Sequence, residues 1–196
     1  MIHPDTELSF ISEEIGFGLV ATRFIAAGTI TWVKDPLDMV FDSSKYSELE
    51  VTKKDYLFKY CFVDGNGYLI LCWDHGRFVN HSCQANCLAP GFDFEIAVRD
   101  IQPGEQLTSD YGVLNMMEDF NCSCKGCDCR KIIRASDPEL MHKIWDDKIK
   151  RVFNQVDKVE QPLWEMIIDK ERVMKAIATP NEIPSSLNHY FRSSRD

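Results

Sequence analysis

The segment Cys122-Ser123-Cys124-Lys125-Gly126-Cys127-Asp128-Cys129 packs four thiols into eight residues, too tightly for four independent core cysteines. Zinc accounts for it. Thiolates are soft ligands, the ion takes four donors with sulfur at about 2.3 Å, and short spacers let the backbone wrap one ion. Alternate cysteines in so short a loop seldom all point at one metal, so a fourth ligand from elsewhere is expected. Cys83 and Cys87, in Asn80-His81-Ser82-Cys83-Gln84-Ala85-Asn86-Cys87, are the candidates. The competing reading is a loop of unligated thiols.

The elements that must position these groups are mostly strands. Short apolar runs broken by Gly, Asp and Asn span Leu8 to Ile11, Phe17 to Ala21, Thr29 to Val33, Tyr60 to Val63 and Tyr68 to Leu71, the pattern of a β-rich region. Asp64-Gly65-Asn66-Gly67 tolerates positive φ and predicts a hairpin between the last two. Glu50 to Phe58 is a helix candidate. Phe78 to Cys87 is dense in polar and sulfur-bearing residues without periodicity, as expected of irregular structure folded over a site. Phe94 to Val98 reads as a further strand, and Pro103-Gly104-Glu105 as a turn. Beyond the cysteines, Asp137-Pro138-Glu139 starts a helix on which Leu140, Ile144, Ile149, Val152, Phe153 and Val156 recur at helical spacing. A second helix is expected over Leu163 to Ile177, and Pro180 and Pro184 end it.

Composition narrows the partners. The chain has 196 residues, 44% hydrophobic, and a net charge of −9, room for one domain with a core and a small appendage. An acidic balance argues against direct nucleic-acid binding and suits a basic peptide. No run of about 18 apolar residues predicts a membrane span, and the first residues lack the basic head and apolar stretch of a signal peptide. An intracellular location, nuclear or cytoplasmic, is therefore expected, where cysteines read as metal ligands or free thiols before disulfides.

Two motifs now carry a resemblance. Arg77-Phe78-Val79-Asn80-His81-Ser82-Cys83-Gln84-Ala85-Asn86-Cys87 resembles the RFxNHSCxxNC signature of SET-domain methyltransferases, and Gly104-Glu105-Gln106-Leu107-Thr108-Ser109-Asp110-Tyr111-Gly112 their GEELTxDYG segment. Gly16-Phe17-Gly18-Leu19-Val20-Ala21, followed by Ile25-Ala26-Ala27-Gly28, resembles the family's N-terminal GxGLxA edge. The cysteine cluster is similar to the post-SET zinc loop. Singly, Gly16 and Gly18 would be turn glycines, His81 a core histidine and Tyr111 a half-buried strand tyrosine; the order and spacing lift the joint reading.

The resemblance implies a mainly β fold with C-terminal helices: a β-clip-like arrangement of small curved sheets with a knot-like crossing that sets the Asn80-His81 segment beside the Tyr111 segment. It implies a SET domain over 1–115, a post-SET zinc loop over 116–135 and a helical extension over 136–196. S-adenosylmethionine would be held by Gly16, Phe17, Gly18, Asn80, His81 and Tyr111. Tyr111 would be catalytic, orienting a lysine amine of a basic protein or peptide such as a histone tail, and Asp110 structural. Zinc would bind Cys83, Cys122 and Cys124, with Cys129 favoured over Cys127. Ser109 stands two residues before Tyr111, where many histone-modifying members carry Phe or Tyr, and resembles the SMYD branch in being small there, so the number of methyl groups added stays open.

Other side chains take blander roles. Tyr60 and Tyr68 either line the lysine channel or pack in the core, the latter preferred; Arg77 and Glu105 form a structural pair or surface charges; Cys61, Cys72 and Cys87 are packing thiols. The helical stripe packs on the same domain in the preferred reading, with a dimer or partner surface as the alternative. Rival functions are methylation of a non-histone protein and a SET fold that has lost catalysis and serves as a binding module.

Overall fold

The computed structural model describes residues 1–116, 118–124, 126 and 128–190, and the backbone alone of Ser43, Tyr46 and Ser47. It is built of small sheets with helices at the C-terminal end. Strands β1 (Thr6–Ser12) and β2 (Gly16–Ala21) pair antiparallel, and the chain enters β2 through Gly16 at φ +83°, a conformation that disfavours any β-carbon. After β3 (Ile30–Val33) come β4 (Met39–Asp42), helix α1 (Val51–Tyr60), β5 (Cys61–Val63) and β6 (Tyr68–Leu71). The last three strands make their own sheet in the order β4-β6-β5. Its expected hairpin is there: the Asp64 carboxylate accepts from Asn66 N and Tyr68 N at 2.9 and 3.0 Å, and Gly67 takes φ +83°.

Strands β7 (Asn80–His81), β8 (Cys87–Leu88), β9 (Phe94–Ala97) and β10 (Thr108–Ser109) complete a five-stranded sheet with the order β3-β9-β8-β10-β7. β10 runs parallel to both neighbours, pairing Thr108 with Asn80 and Ser109 with His81 on one side, and Ser109 with Cys87 on the other. It therefore lies between two strands that the short loop 82–86 joins. That is the knot-like crossing, an arrangement strand patterns alone would not suggest.

A short ribbon of β11 (Phe120–Asn121) and β12 (Ile132–Ile133) frames the cysteine segment. Helix α2 (Asp137–Phe153) has Pro138 in its first turn, where no N–H is missed, and carries Asp137 and Glu139 there and Lys150 and Arg151 in its last turn, charges suited to the helix dipole. Its Trp145, Ile149 and Phe153 share one core with Ile30, Val33, Phe94 and Ile96 of the sheet. The stripe expected from sequence is displaced, since Leu140 and Ile144 are 70% and 50% exposed. Both lie one position before the residues that turn inward, Met141 and Trp145.

The single helix expected over Leu163 to Ile177 is two pieces. A 3-10 turn covers Trp164–Met166, and α3 (Lys170–Ala178) begins only after Asp169, whose carboxylate accepts from Arg172 N at 3.0 Å. Asp169 is an N-cap, and it competes successfully with helix continuation. Among the described residues no helix is long and apolar enough to cross a membrane.

One buried polar hub ties these layers together. Asp110, just after β10, accepts from the Arg130 guanidinium, from Trp145 Nε1 at 3.0 Å and from Gly112 N at 3.0 Å, while Arg130 also donates to Asp137 at 2.9 Å. Arg130→Ala would leave two buried carboxylates without a counter-charge, so a loss of about 3–5 kcal/mol is expected. A urea midpoint equal to wild type would contradict it.

Candidate active site

The crossing places two motifs in contact. Tyr111, one residue beyond the Asp110 hub, donates its backbone N–H to His81 Nδ1 at 3.1 Å and its hydroxyl to Val79 O at 2.7 Å. Its ring lies 5.4 Å from that of His81, and Phe120 closes over both at 5.9 and 5.7 Å. Burial keeps both groups uncharged. It lowers the His81 pKa to about 4 against the opposing pull of Asp110, and it pushes the Tyr111 phenol up, helped by the charge of Glu95. Because the phenol hydrogen is committed to Val79 O, the oxygen lone pairs are left to accept from a guest.

On one side of this pair lies the β1–β2 edge. Asn80 donates its side-chain amide to Phe17 O at 3.0 Å and to Gln106 Oε1 at 2.6 Å. A β-carbon on Gly18 would strike both the Asn80 and Gln106 side chains and Ile11. Glycine is thus needed at 18 for packing within the protein itself, a reason beyond the ligand approach expected from sequence. Phe17 is 51% exposed and stacks edge-on against Phe10 at 5.8 Å. Gly16, Phe17, Gly18, Asn80 and His81 are brought together, with Tyr111 behind His81.

On the other side a cavity of about 130 Å³ is lined by Trp32, Tyr60, Val79, Glu95, Ser109 and Tyr111 among others. Tyr60 is held there between Tyr56 at 4.8 Å and Phe78 at 5.5 Å. Core packing was the preferred expectation for both tyrosines, but Tyr60 faces this cavity and Tyr68 is 44% exposed. Cys61 and Cys72 also form its wall, and burial raises both thiols to about 12, which keeps them unreactive. Cys87 is fully packed.

The sulfur atoms of Cys83, Cys122 and Cys124 and a ring nitrogen of His81 all lie within 4.8 Å of one another. His81 does not fit as a ligand. Its Nδ1 accepts from Tyr111 N–H, so in the neutral ring the proton sits on Nε2, which points at Cys83 Sγ at 3.4 Å as a donor. Backbone N–H groups of Cys124, Arg130 and Lys131 approach the sulfurs of Cys122, Cys83 and Cys129, each at 3.4 Å. Donors aimed at sulfur suit anionic thiolates. Cys129 lies at the rim of the group, its sulfur 3.9 Å from Cys122 O. Cys127 lies outside the described residues.

Arg77 and Glu105 were expected as a structural pair or as surface charges. They do not pair: Arg77 donates to Cys72 O and Trp73 O, and Glu105 pairs with Arg99 at 2.5 Å. The side chain that sequence reading passed over is Glu95. It sits among Phe94, Ile96 and Ala97 on a fully buried strand, accepts from Ser109 Oγ at 2.6 Å, and burial raises its pKa to about 7. A lone acid in an apolar run was the available signal.

Comparison with known proteins agrees with this geometry. The SET domain family model matches residues 16–112. The putative histone-lysine N-methyltransferase ASHH4 of Arabidopsis thaliana is 27% identical over 154 residues, 72% of this chain and 43% of the relative. Histone-lysine N-methyltransferase ASHR3 of the same plant is 30% identical over 88 residues, 40% of this chain and 18% of the relative. Set2 of Drosophila melanogaster is 28% identical over 137 residues, 62% of this chain and 6% of the relative. The chain spans less than half the length of these curated relatives. Arabidopsis thaliana SUVH6, solved in complex with SAM, superposes with a TM-score of 0.53 at 19% identity, over 67% of this chain and 33% of that one, a likeness of fold. Residues 16–112 are a SET domain, and the chain belongs to the SET-domain family.

Proposed function

We propose that this protein is a protein-lysine N-methyltransferase that uses S-adenosylmethionine and acts on a basic protein, a histone in the first place. The supporting observation is the Tyr111 hydroxyl. It lies next to His81 of the Gly16–Gly18, Asn80 and His81 cluster and lines a partly open, mainly apolar cavity. The histone-methylating names of the relatives and the acidic balance of the chain support the substrate class. A histone substrate would place the protein in the nucleus.

The cofactor side fits its ligand in chemical terms. The Asn80 amide hydrogens are used within the protein, and among the described contacts its carbonyl oxygen has no protein partner, so it is available to an amino group. When bound, S-adenosylmethionine supplies an electrophilic methyl on a cationic sulfur. The cavity supplies the rest. Lysine titrates near 10.4 in water, and a desolvated channel disfavours its ammonium. The Tyr111 oxygen, its own hydrogen held by Val79 O, accepts an N–H of the amine and turns the nitrogen lone pair toward the methyl. Phe120 and the ring of His81 exclude water beside it.

Zinc would be held by Cys83, Cys122, Cys124 and Cys129: the first three sulfurs lie within 4.8 Å of one another, and backbone N–H donors approach those of Cys83, Cys122 and Cys129. Bound there, the ion would hold the segment that carries Phe120 over the site.

Two measurements test this reading. Transfer of labelled methyl groups from S-adenosylmethionine to core histones and to a whole-cell lysate is expected to yield methyl-lysine, falling about a hundredfold or more in Tyr111→Phe. A folded, zinc-loaded protein that labels neither mixture contradicts the catalytic reading and favours a binding module. Metal analysis is expected to give one zinc per chain, reduced in Cys122→Ser and in Cys129→Ser but retained in Cys127→Ser. Full loading of Cys129→Ser would remove that residue from the set.

A further inference from the structure

Glu95 is costly where it sits. It is buried on a strand whose other residues are apolar, and its one described side-chain partner is the Ser109 hydroxyl. A buried carboxyl held by one neutral hydrogen bond is unfavourable unless a cation or further donors reach it. The cations of the cavity wall are engaged elsewhere: Lys34 pairs with Asp64 at 3.2 Å, Arg77 donates to Cys72 O and Trp73 O, and Lys59 lies over the Tyr60 ring. Yet Glu95 and Ser109 line the same cavity as the Tyr111 hydroxyl, and the charge of Glu95 is felt by that phenol. A cation that enters the cavity from outside would meet this carboxyl.

Resting on the methyltransferase reading above, we propose that Glu95, fixed by Ser109, is the anionic end of the amine pocket: it receives the substrate ammonium as it enters, before desolvation and loss of one proton to water leave the neutral amine, and it selects among methylation states by the N–H groups that amine retains. A carboxylate accepts strong, charge-assisted bonds from N–H donors and none from methyl groups. With the lone pair turned to the incoming methyl, an unmodified amine has two N–H groups to offer Glu95 and Tyr111. A monomethyl amine has one, and a dimethyl amine has none, so each transfer weakens the hold of Glu95 on the next substrate. Specificity then comes from leaving a buried acceptor unsatisfied by the wrong state.

The test has two arms. In the first, protein labelled with carbon-13 at glutamate carboxyls is titrated with n-butylammonium chloride at fixed pH. The Glu95 signal, identified by its absence from Glu95→Gln, is expected to shift saturably, with tetramethylammonium giving a smaller response at equal concentration. No shift with n-butylammonium, or an equal response to both cations, overturns the proposal whether or not the protein methylates anything. In the second arm, mass spectrometry counts methyl groups on histone lysines. Glu95→Leu is expected to raise the ratio of di- and trimethyl to monomethyl product about tenfold or more, and Glu95→Gln, which keeps a partner for Ser109, to raise it less. An unchanged ratio in both folded variants overturns the proposal while wild-type labelling upholds the enzyme. A saturable Glu95 shift in a protein that labels nothing supports the amine pocket and sinks the methyltransferase reading instead.

Discussion

The parallel pairing of Thr108 and Ser109 between the Asn80-His81 and Cys87-Leu88 strands is the constraint on which the rest of this molecule depends. Those few hydrogen bonds put the Gly104 to Gly112 motif between two parts of the Arg77 to Cys87 motif that precedes it by some twenty to thirty residues. Tyr111 can then reach His81 with its backbone and Val79 with its hydroxyl. One strand insertion thereby creates two unlike environments around a single phenol. Toward the β1–β2 edge the surroundings include the Asn80 amide and the Phe17 backbone; toward the cavity they include Trp32, Tyr60 and the buried acid Glu95.

So short a pairing needs support from its flanks, and Asp110 supplies it. Its carboxylate gathers Arg130 from the cysteine segment, Trp145 from α2 and the Gly112 amide. The C-terminal helices and the sulfur cluster therefore bear on the same residue that leads into Tyr111. His81 links the two chemistries, accepting from Tyr111 and facing Cys83. A change in the sulfur cluster has a route to the phenol of only two side chains.

The strand pattern was legible wherever burial imposed short apolar runs, as at Phe17 to Ala21, Tyr68 to Leu71 and Phe94 to Val98. Turn chemistry located the Asp64–Gly67 hairpin for the same reason, since positive φ admits few residues. The crossing itself was not legible in periodicity. It depends on pairing across long sequence separations, and only the resemblance of the two motifs indicated it. Sequence spacing misjudged the helices where one residue of register or one capping group decides: Leu140 and Ile144 lie just off the buried stripe, and Asp169 interrupts what looked continuous. Glu95 was passed over because an acid in a strand reads as solvent-facing until the fold closes over it. Tyr60 and Tyr68 part ways: Tyr60, at the end of α1, packs against Phe78, while Tyr68, at the start of β6, is 44% exposed.

The central claim is that three segments distant in sequence make one cofactor site. Hydrogen–deuterium exchange of the zinc-loaded protein with and without saturating S-adenosylhomocysteine tests it directly. Slower exchange is expected together at residues 16–18, 80–81 and 109–111. Protection confined to other segments, or none at saturation, would contradict it.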